Sequence, residues 1–175
     1  FRWDVVWKWL FSKMIMTGLF MTIVLTVLSM TLGTALAITM AIMRQSINPV
    51  LRGVASAYIW FFRGTPIYTQ LIFWSLLPTL YRTITLGIPG TEIGVSLETR
   101  AWFTPFWMAF IGLGLNEGAY LAEIIRAGIL SVDHGQWEAA TALGMNRGKI
   151  FRRIILPQAM RVIVPPIGNE TISML

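Results

Sequence analysis

An all-α polytopic membrane protein is the fold class this sequence predicts, and three observations predict it. Hydrophobic residues make up 55% of 175 and charged residues only 13%, whereas ordinary soluble domains carry about a quarter charged residues. Mean hydropathy is +0.66. Arg and Lys gather in short segments between apolar runs, the pattern of membrane-edge loops. That pattern also accounts for the net charge of +6 without any nucleic-acid partner. The chain has no cysteine, which excludes a disulfide framework and a thiolate metal site.

The elements follow in order. Residues 1–13, FRWDVVWKWLFSK, form an amphipathic segment with Trp3, Val6, Trp7, Leu10 and Phe11 on one side and Asp4, Lys8 and Ser12 on another. It reads as an interfacial anchor before a transmembrane domain over 14–175. Residues 14–43 carry no charge. As a helix they reach roughly 45 Å, longer than the hydrocarbon core of about 30 Å, so the helix tilts or protrudes. Its stripe of Gly18, Thr22, Thr26, Ser29 and Gly33 is small enough to pack on another helix.

Asn48-Pro49 breaks the chain after Arg44. Gly64 and Pro66 interrupt the next apolar stretch, so 53–65 is expected partly along the inner interface and 66–80 across the membrane. Residues 81–100 read as a loop in which Glu92 and Glu98 match Arg82 and Arg100. Residues 101–131 are apolar but contain Asn116, Glu117 and Glu123. After the charged stretch 132–153, an apolar run is expected to be interrupted by Pro157, Pro165 and Pro166. Three basic residues in 44–63 and six in 126–161, against two in 81–100, place the first two segments in the cytoplasm. The N-terminus then falls outside, against the trend of its own Arg2, Lys8 and Lys13.

The segment EAATALGMNRGKIFRRIILP (138–157) is charged and Gly-punctuated. On a helix Ala139, Ala142 and Leu143 make a small apolar face, Gly144 stops it, and Asn146 caps a second helix. There Ile150, Phe151, Ile154 and Ile155 oppose Lys149, Arg152 and Arg153. Glu138-Ala139-Ala140, three residues, Gly144, nine residues, then Ile154-x-Leu156-Pro157 fixes seven positions over twenty. This resembles the EAA loop of permease subunits of binding-protein-dependent ABC importers. FRGTPIYTQLIFW (62–74), LNEGAYLAEIIRAGI (115–129), GQWEAATALGM (135–145) and PPIGNETISML (165–175) narrow the resemblance to the polar amino acid subfamily.

The resemblance implies a type I permease fold in a bacterial inner membrane, with about four spans present and a fifth expected in the complete chain. It implies that the loop at about 133–157 is a coupling helix seated in an ATPase subunit, through Glu138, Ala139, Ala140, Leu143, Gly144, Ile154, Leu156 and Pro157. It also implies a second permease subunit and an extracytoplasmic substrate-binding protein, with ATP and Mg held by the ATPase and no cofactor on this chain. Gly144 to Gly148-Lys149 has the wrong spacing for a P-loop, and Gly112 to Gly118 the wrong spacing for a dinucleotide turn. There is no G-x-S-x-G, and the lone His134 reads as a solvated loop residue. No enzymatic activity is expected of this chain.

Candidate pathway residues come from the helical wheel. Gly112, Asn116, Tyr120, Glu123 and Ala127 share a stripe, with Glu117 about 100° away. Ionisable groups at membrane depth mark pathways or buried pairs. Glu123 is expected to pair with Arg126, three residues on. Glu117 has no local partner. Gln158, Asn169 and Ser173 fall on one side of the last segment, with Glu170 adjacent. A zwitterionic amino acid needs donors for its carboxylate, offered by Arg63 or backbone N–H groups near Gly64-Thr65-Pro66. It needs an acceptor for its ammonium, offered by Glu117 or Glu170. The alternative reading is an ATP-independent secondary transporter or channel, which also uses broken helices.

Overall fold

The computed structural model describes residues 2–87 and 94–175. Nine helices, one π turn and two short strands are seen among them. Glu92 lies outside the described residues.

Helix α1 (Trp3–Leu10) is short and amphipathic and buries none of its side chains. Ser12 caps α2 (Lys13–Arg44) by accepting from the Ile15 amide. The buried residues of α2 are Thr26, Ser29, Gly33, Ala37 and Ala41, one seam at helical spacing. The small stripe therefore runs deeper than its sequence position indicates: Gly18 has nothing near it, and Ala37 and Ala41 extend the seam instead. Around the rest of α2, Phe20, Val27, Ile38 and Ile42 are exposed. An apolar surface on all sides with a single narrow buried seam is what a lipid-facing helix needs.

Asn48 caps α3 (Pro49–Gly64), its Oδ1 accepting from the Val50 amide at 2.9 Å, with Pro49 in the first turn. Thr65 is extended (φ −114°, ψ 138°), as a residue before proline prefers, and α4 (Ile67–Leu80) starts from Pro66. The 14 residues of α4 reach about 21 Å, short of a full crossing. Helices α3 and α4 thus make one broken unit.

The segment read as a loop contains strands β1 (Thr83–Gly87) and β2 (Gly94–Glu98), antiparallel with Thr83 opposite Glu98 and Thr85 opposite Ser96. Thr83, Ile84 and Thr85 give β1 a β-branched run that favours this pairing. The Thr99 hydroxyl closes its base on the carbonyls of Tyr81 and Arg82, the latter at 2.8 Å. The apolar run over 101–131 also breaks, at Thr104-Pro105: α5 (Thr99–Trp102) precedes α6 (Pro105–Leu130), which carries Pro at its start.

Helix α6 is the hub and packs against α2, α3, α4 and α9. A Cβ added at Gly33 would lie 2.8 Å from the Glu117 Cβ and 3.3 Å from the Gly118 amide nitrogen, so α2 and α6 touch nearly backbone to backbone. Ala37, Ile59, Leu121 and Ala122 form the core beside that contact.

Helix α7 (His134–Ala142), α8 (Arg147–Ile150), a π turn (Phe151–Ile155) and α9 (Leu156–Ser173) complete the chain. Contrary to the expected interruption, Pro165 and Pro166 lie inside α9, which runs through them. The carbonyls of Arg161 and Val162 lose their usual amide partners there, but the helix is kept by its packing on α6. His134 sits in the first turn of α7, not in a loop, with Nδ1 3.1 Å from Glu138 Oε1.

The α2–α6 contact predicts the effect of added bulk. Gly33→Leu should overpack the seam and cost about 1–3 kcal/mol. It should lower the melting temperature of the detergent-solubilised protein. Gly18→Ala, in open surroundings, should leave it unchanged.

Candidate functional site

The break between α3 and α4 would leave polar backbone unsatisfied, because Pro66 has no N–H for the Phe62 carbonyl. Two side-chain amides repair it. Gln70 Nε2 lies 3.0 Å from both the Phe62 and Thr65 carbonyls and 2.6 Å from Thr65 Oγ1. Asn116 Nδ2, from α6, donates to the Phe62 carbonyl at 3.0 Å and to Gln70 Oε1 at 3.3 Å. The Thr65 hydroxyl donates to the Phe61 carbonyl at 2.9 Å. Gln70 was not singled out by sequence reasoning. A polar residue four positions after a proline that breaks a membrane helix is the signal that could have found it.

This repaired break forms one wall of a cleft of about 680 Å³. Arg63 and Gly64-Thr65-Pro66 line it from α3 and the break, Asn116, Glu117 and Tyr120 from α6, and Glu170 from α9. Five of the six predicted pathway residues therefore converge. Asn169 does not: it is exposed and outside the lining, because the helix continues through Pro165-Pro166 and turns Glu170 inward instead. Arg63 stacks over the Tyr120 ring, its Cζ 5.4 Å from the centroid. Glu117 is 8% exposed, and its Oε2 has no hydrogen-bond partner among the described residues. Glu117 thus places a buried carboxyl oxygen without a donor at the wall of the cleft.

Glu123 has a different environment. Arg126 Nε donates to its Oε2 at 2.7 Å, as its position three residues away indicates. Arg44, at the end of α2, bonds its Oε1, a partner invisible to local spacing. Glu123 is thus a structural acid holding two helix ends together.

The second feature is the corner after α7. Asp133 caps α7 by accepting from the Gly135 amide at 2.6 Å. At its other end Gly144 has φ +74°, its amide bonds the Thr141 carbonyl at 2.9 Å, and the Met145 amide reaches back to the Ala140 carbonyl at 3.1 Å. This is a Schellman ending, which favours glycine at the left-handed position. Asn146 Oδ1 then accepts from the Lys149 amide at 2.9 Å. Inside the corner, Ala140 packs with Ile150 and Ile155, flanked by Trp137 and Met145. Outside it Glu138, Ala139, Ala142 and Leu143 are exposed, Leu143 at 82%.

Residues five apart in an α-helix point about 140° apart, yet Ile150 and Ile155 are both buried. The π turn explains this: the Leu156 amide bonds the Phe151 carbonyl five residues back. It sits directly before Pro157, whose ring would crowd a regular turn.

Comparison with known proteins adds kinship. Residues 33–175 match the family model described as binding-protein-dependent transport system inner membrane component. The chain is similar to the arginine transport system permease protein ArgU of Corynebacterium glutamicum, 53% identical over 175 residues, covering 100% of this chain and 54% of that protein. It is similar to the L-cystine transport system permease protein TcyB of Bacillus subtilis, 41% identical over 174 residues, covering 99% and 66%. Among solved structures, a crystal structure of an amino acid ABC transporter with histidines matches with TM-score 0.72 and 38% identity, covering 91% of this chain and 66% of that one. The chain thus spans between about half and two thirds of the length of these relatives.

The amide clamp predicts a stability effect. Gln70→Leu keeps the volume but leaves half-buried acceptors on Thr65 and a buried donor on Asn116 unmet, at a cost of about 1–3 kcal/mol. The melting temperature should fall, whereas the exposed neighbour Thr69→Val should stay within about 0.5 kcal/mol of the parent.

Proposed function

We propose, for a chain that belongs to the family of binding-protein-dependent transport system inner membrane components, the role of pathway-forming permease subunit in an ATP-driven importer of a polar amino acid. It crosses a bacterial inner membrane several times. ATP and Mg belong to a separate ATPase subunit, the pathway is completed by a second permease subunit, and substrate arrives from an extracytoplasmic binding protein. The names of the relatives, which specify arginine and cystine transport, support the substrate class.

One observation carries this reading. The exposed corner and the cleft are opposite ends of a single helical lever. From Arg147 the chain is helical without a break through the π turn to Ser173, and Glu170 and Ser173 at its far end line the cleft. A displacement applied at Ala139, Ala142 and Leu143 is passed by the Schellman corner and the buried Ala140–Ile150–Ile155 contact into α9. A partner pressing on the corner therefore moves a wall of the cleft. Glu138, Ala139, Leu143 and Gly144 serve as the docking surface, while Ala140, Ile154, Leu156 and Pro157 hold the joint behind it.

In the cleft, the substrate carboxylate is assigned to Arg63 and its ammonium to Glu117. Glu170 is a second acid, available to a basic side chain. Asn116 serves mainly to hold the broken backbone, and Tyr120 keeps Arg63 in place. An ATP-independent transporter would not need the corner, so the ATP dependence of uptake separates the two readings.

Two variants test the assignment. Leu143→Asp changes a largely exposed side chain and should leave the subunits assembled. Binding-protein-stimulated ATP hydrolysis and uptake should both fall about tenfold or more, the effect of losing a central anchor. Gly144→Asp should act alike. Wild-type rates in an assembled complex would remove the coupling role. Glu117→Gln keeps size and removes charge. Labelled amino acid uptake should fall about tenfold or more, given a Coulomb attraction of a few kcal/mol in a half-wet site, while ATP hydrolysis persists in part. Loss of expression instead would mark Glu117 as structural.

A further inference from the structure

Helices α2, α3 and α6 leave a pocket of about 270 Å³ beside the Arg44–Glu123–Arg126 cluster. Its charge does not balance. Two guanidinium groups share one carboxylate, and no other acid among the described residues pairs with either. Each guanidinium has five N–H donors, and most of them stay open. Both side chains are partly accessible, at 34% and 41%.

The pocket does not end there. It shares Ala41, Gln45 and Ile129 with a second hollow of about 380 Å³ along α2, α6, the π turn and α9. Apart from Thr34 and Gln45, that groove is lined only by apolar side chains, from Ile38 to Met160. Exposed Ile38, Ile42 and Leu130 border the two openings. A cationic pocket that opens into an apolar groove matches one kind of molecule: an amphiphile with an anionic head and an aliphatic tail. A phosphodiester can take paired N–H bonds from guanidinium groups.

We propose that this pocket and groove hold one anionic phospholipid of the cytoplasmic leaflet, its phosphate at Arg44 and Arg126 and an acyl chain along the α2–α6–α9 groove. The leaflet rests on the permease reading and on the orientation that the basic residues of 44–63 and 126–161 indicate, with the ends of α2 and α6 inside. Anionic lipid is concentrated at that surface, and each basic residue near it adds attraction. The lipid would then bridge the end of α2 and the start of α9, between the membrane domain and the lever.

The test uses the complete, assembled complex in nanodiscs of phosphatidylcholine with added phosphatidylglycerol. Retained lipid is counted by native mass spectrometry. The wild type should retain phosphatidylglycerol in preference to phosphatidylcholine. Arg126→Gln should weaken that retention about fivefold, the contribution of one basic residue near the surface. If Arg126→Gln does not assemble, Ile38→Trp blocks the groove from an exposed position, leaves the charged cluster intact, and should lower retention too. Equal retention of the two lipids overturns the proposal, as does unchanged retention in the assembled variants. Displacement of the lipid by soluble glycerol phosphate at equal concentration would show an anion pocket without a tail site, and also overturns it. Cross-linking of Ile38→Cys to protein in the complex would give the groove to another helix and likewise overturns the proposal. Uptake by the wild-type complex is measured separately, and absence of uptake with phosphatidylglycerol preferentially retained counts against the permease reading alone.

Discussion

In lipid no hydrophobic force draws one helix to another, so a bundle is held by close packing of backbones and by hydrogen bonds. Here that packing concentrates where α2 meets α6. Gly33 admits the Glu117 Cβ and the Gly118 amide, and Gly118 in turn faces Leu36 of α2 and the Tyr58 hydroxyl of α3. The Tyr58 hydroxyl donates to the Leu115 carbonyl at 2.6 Å, and that of Ser29 reaches the Phe110 carbonyl at 3.4 Å. One close contact thus sets the position of three helices. It also decides the fate of Glu117: with its Cβ held against Gly33, the side chain cannot reach the membrane edge and stays inside, facing the cleft.

The cleft exists because the α3–α4 unit is broken, and a broken helix at membrane depth is stable only where its polar backbone is met by protein or by a wet cavity. Gln70 and Asn116 meet one side of the break, and the cleft takes the other. The same side-chain amides that satisfy the backbone tie α4 to α6 and so brace this wall of the cleft. In the proposed role, movement falls to the other wall, the end of α9.

That wall is linked to the exposed corner by a joint built from opposite features. The Schellman turn at Gly144 reverses the chain sharply, while the π turn rotates Ile155 into line with Ile150 and closes both over Ala140. A flexible link would dissipate a push from a partner. Buried aliphatic contact behind an exposed face would transmit it, which is the mechanical requirement of the proposed coupling role.

Much of this was legible in the sequence because it is local. The uncharged run of α2, the break at Asn48-Pro49, the cap at Asn146, the stop at Gly144 and the Glu123–Arg126 pair all depend on neighbours within one or two turns, and each is present. The signature over 138–157 and the convergence of Arg63, Glu117 and Glu170 were also readable, the latter because charge at membrane depth needs a reason. The tertiary structure decided what periodicity leaves open. Strand pairing in 83–98 needs a partner strand, and the continuity of α9 through two prolines needs the packing of α6. Arg44 reaches Glu123 across 79 positions, and Gln70 takes its role from a carbonyl eight residues back on another helix. Local spacing assigns a side chain to a face of its own helix; only the placement of neighbouring backbones decides what that face meets, which is why Asn169 was predicted in the cleft and Glu170 alone of the two is found there.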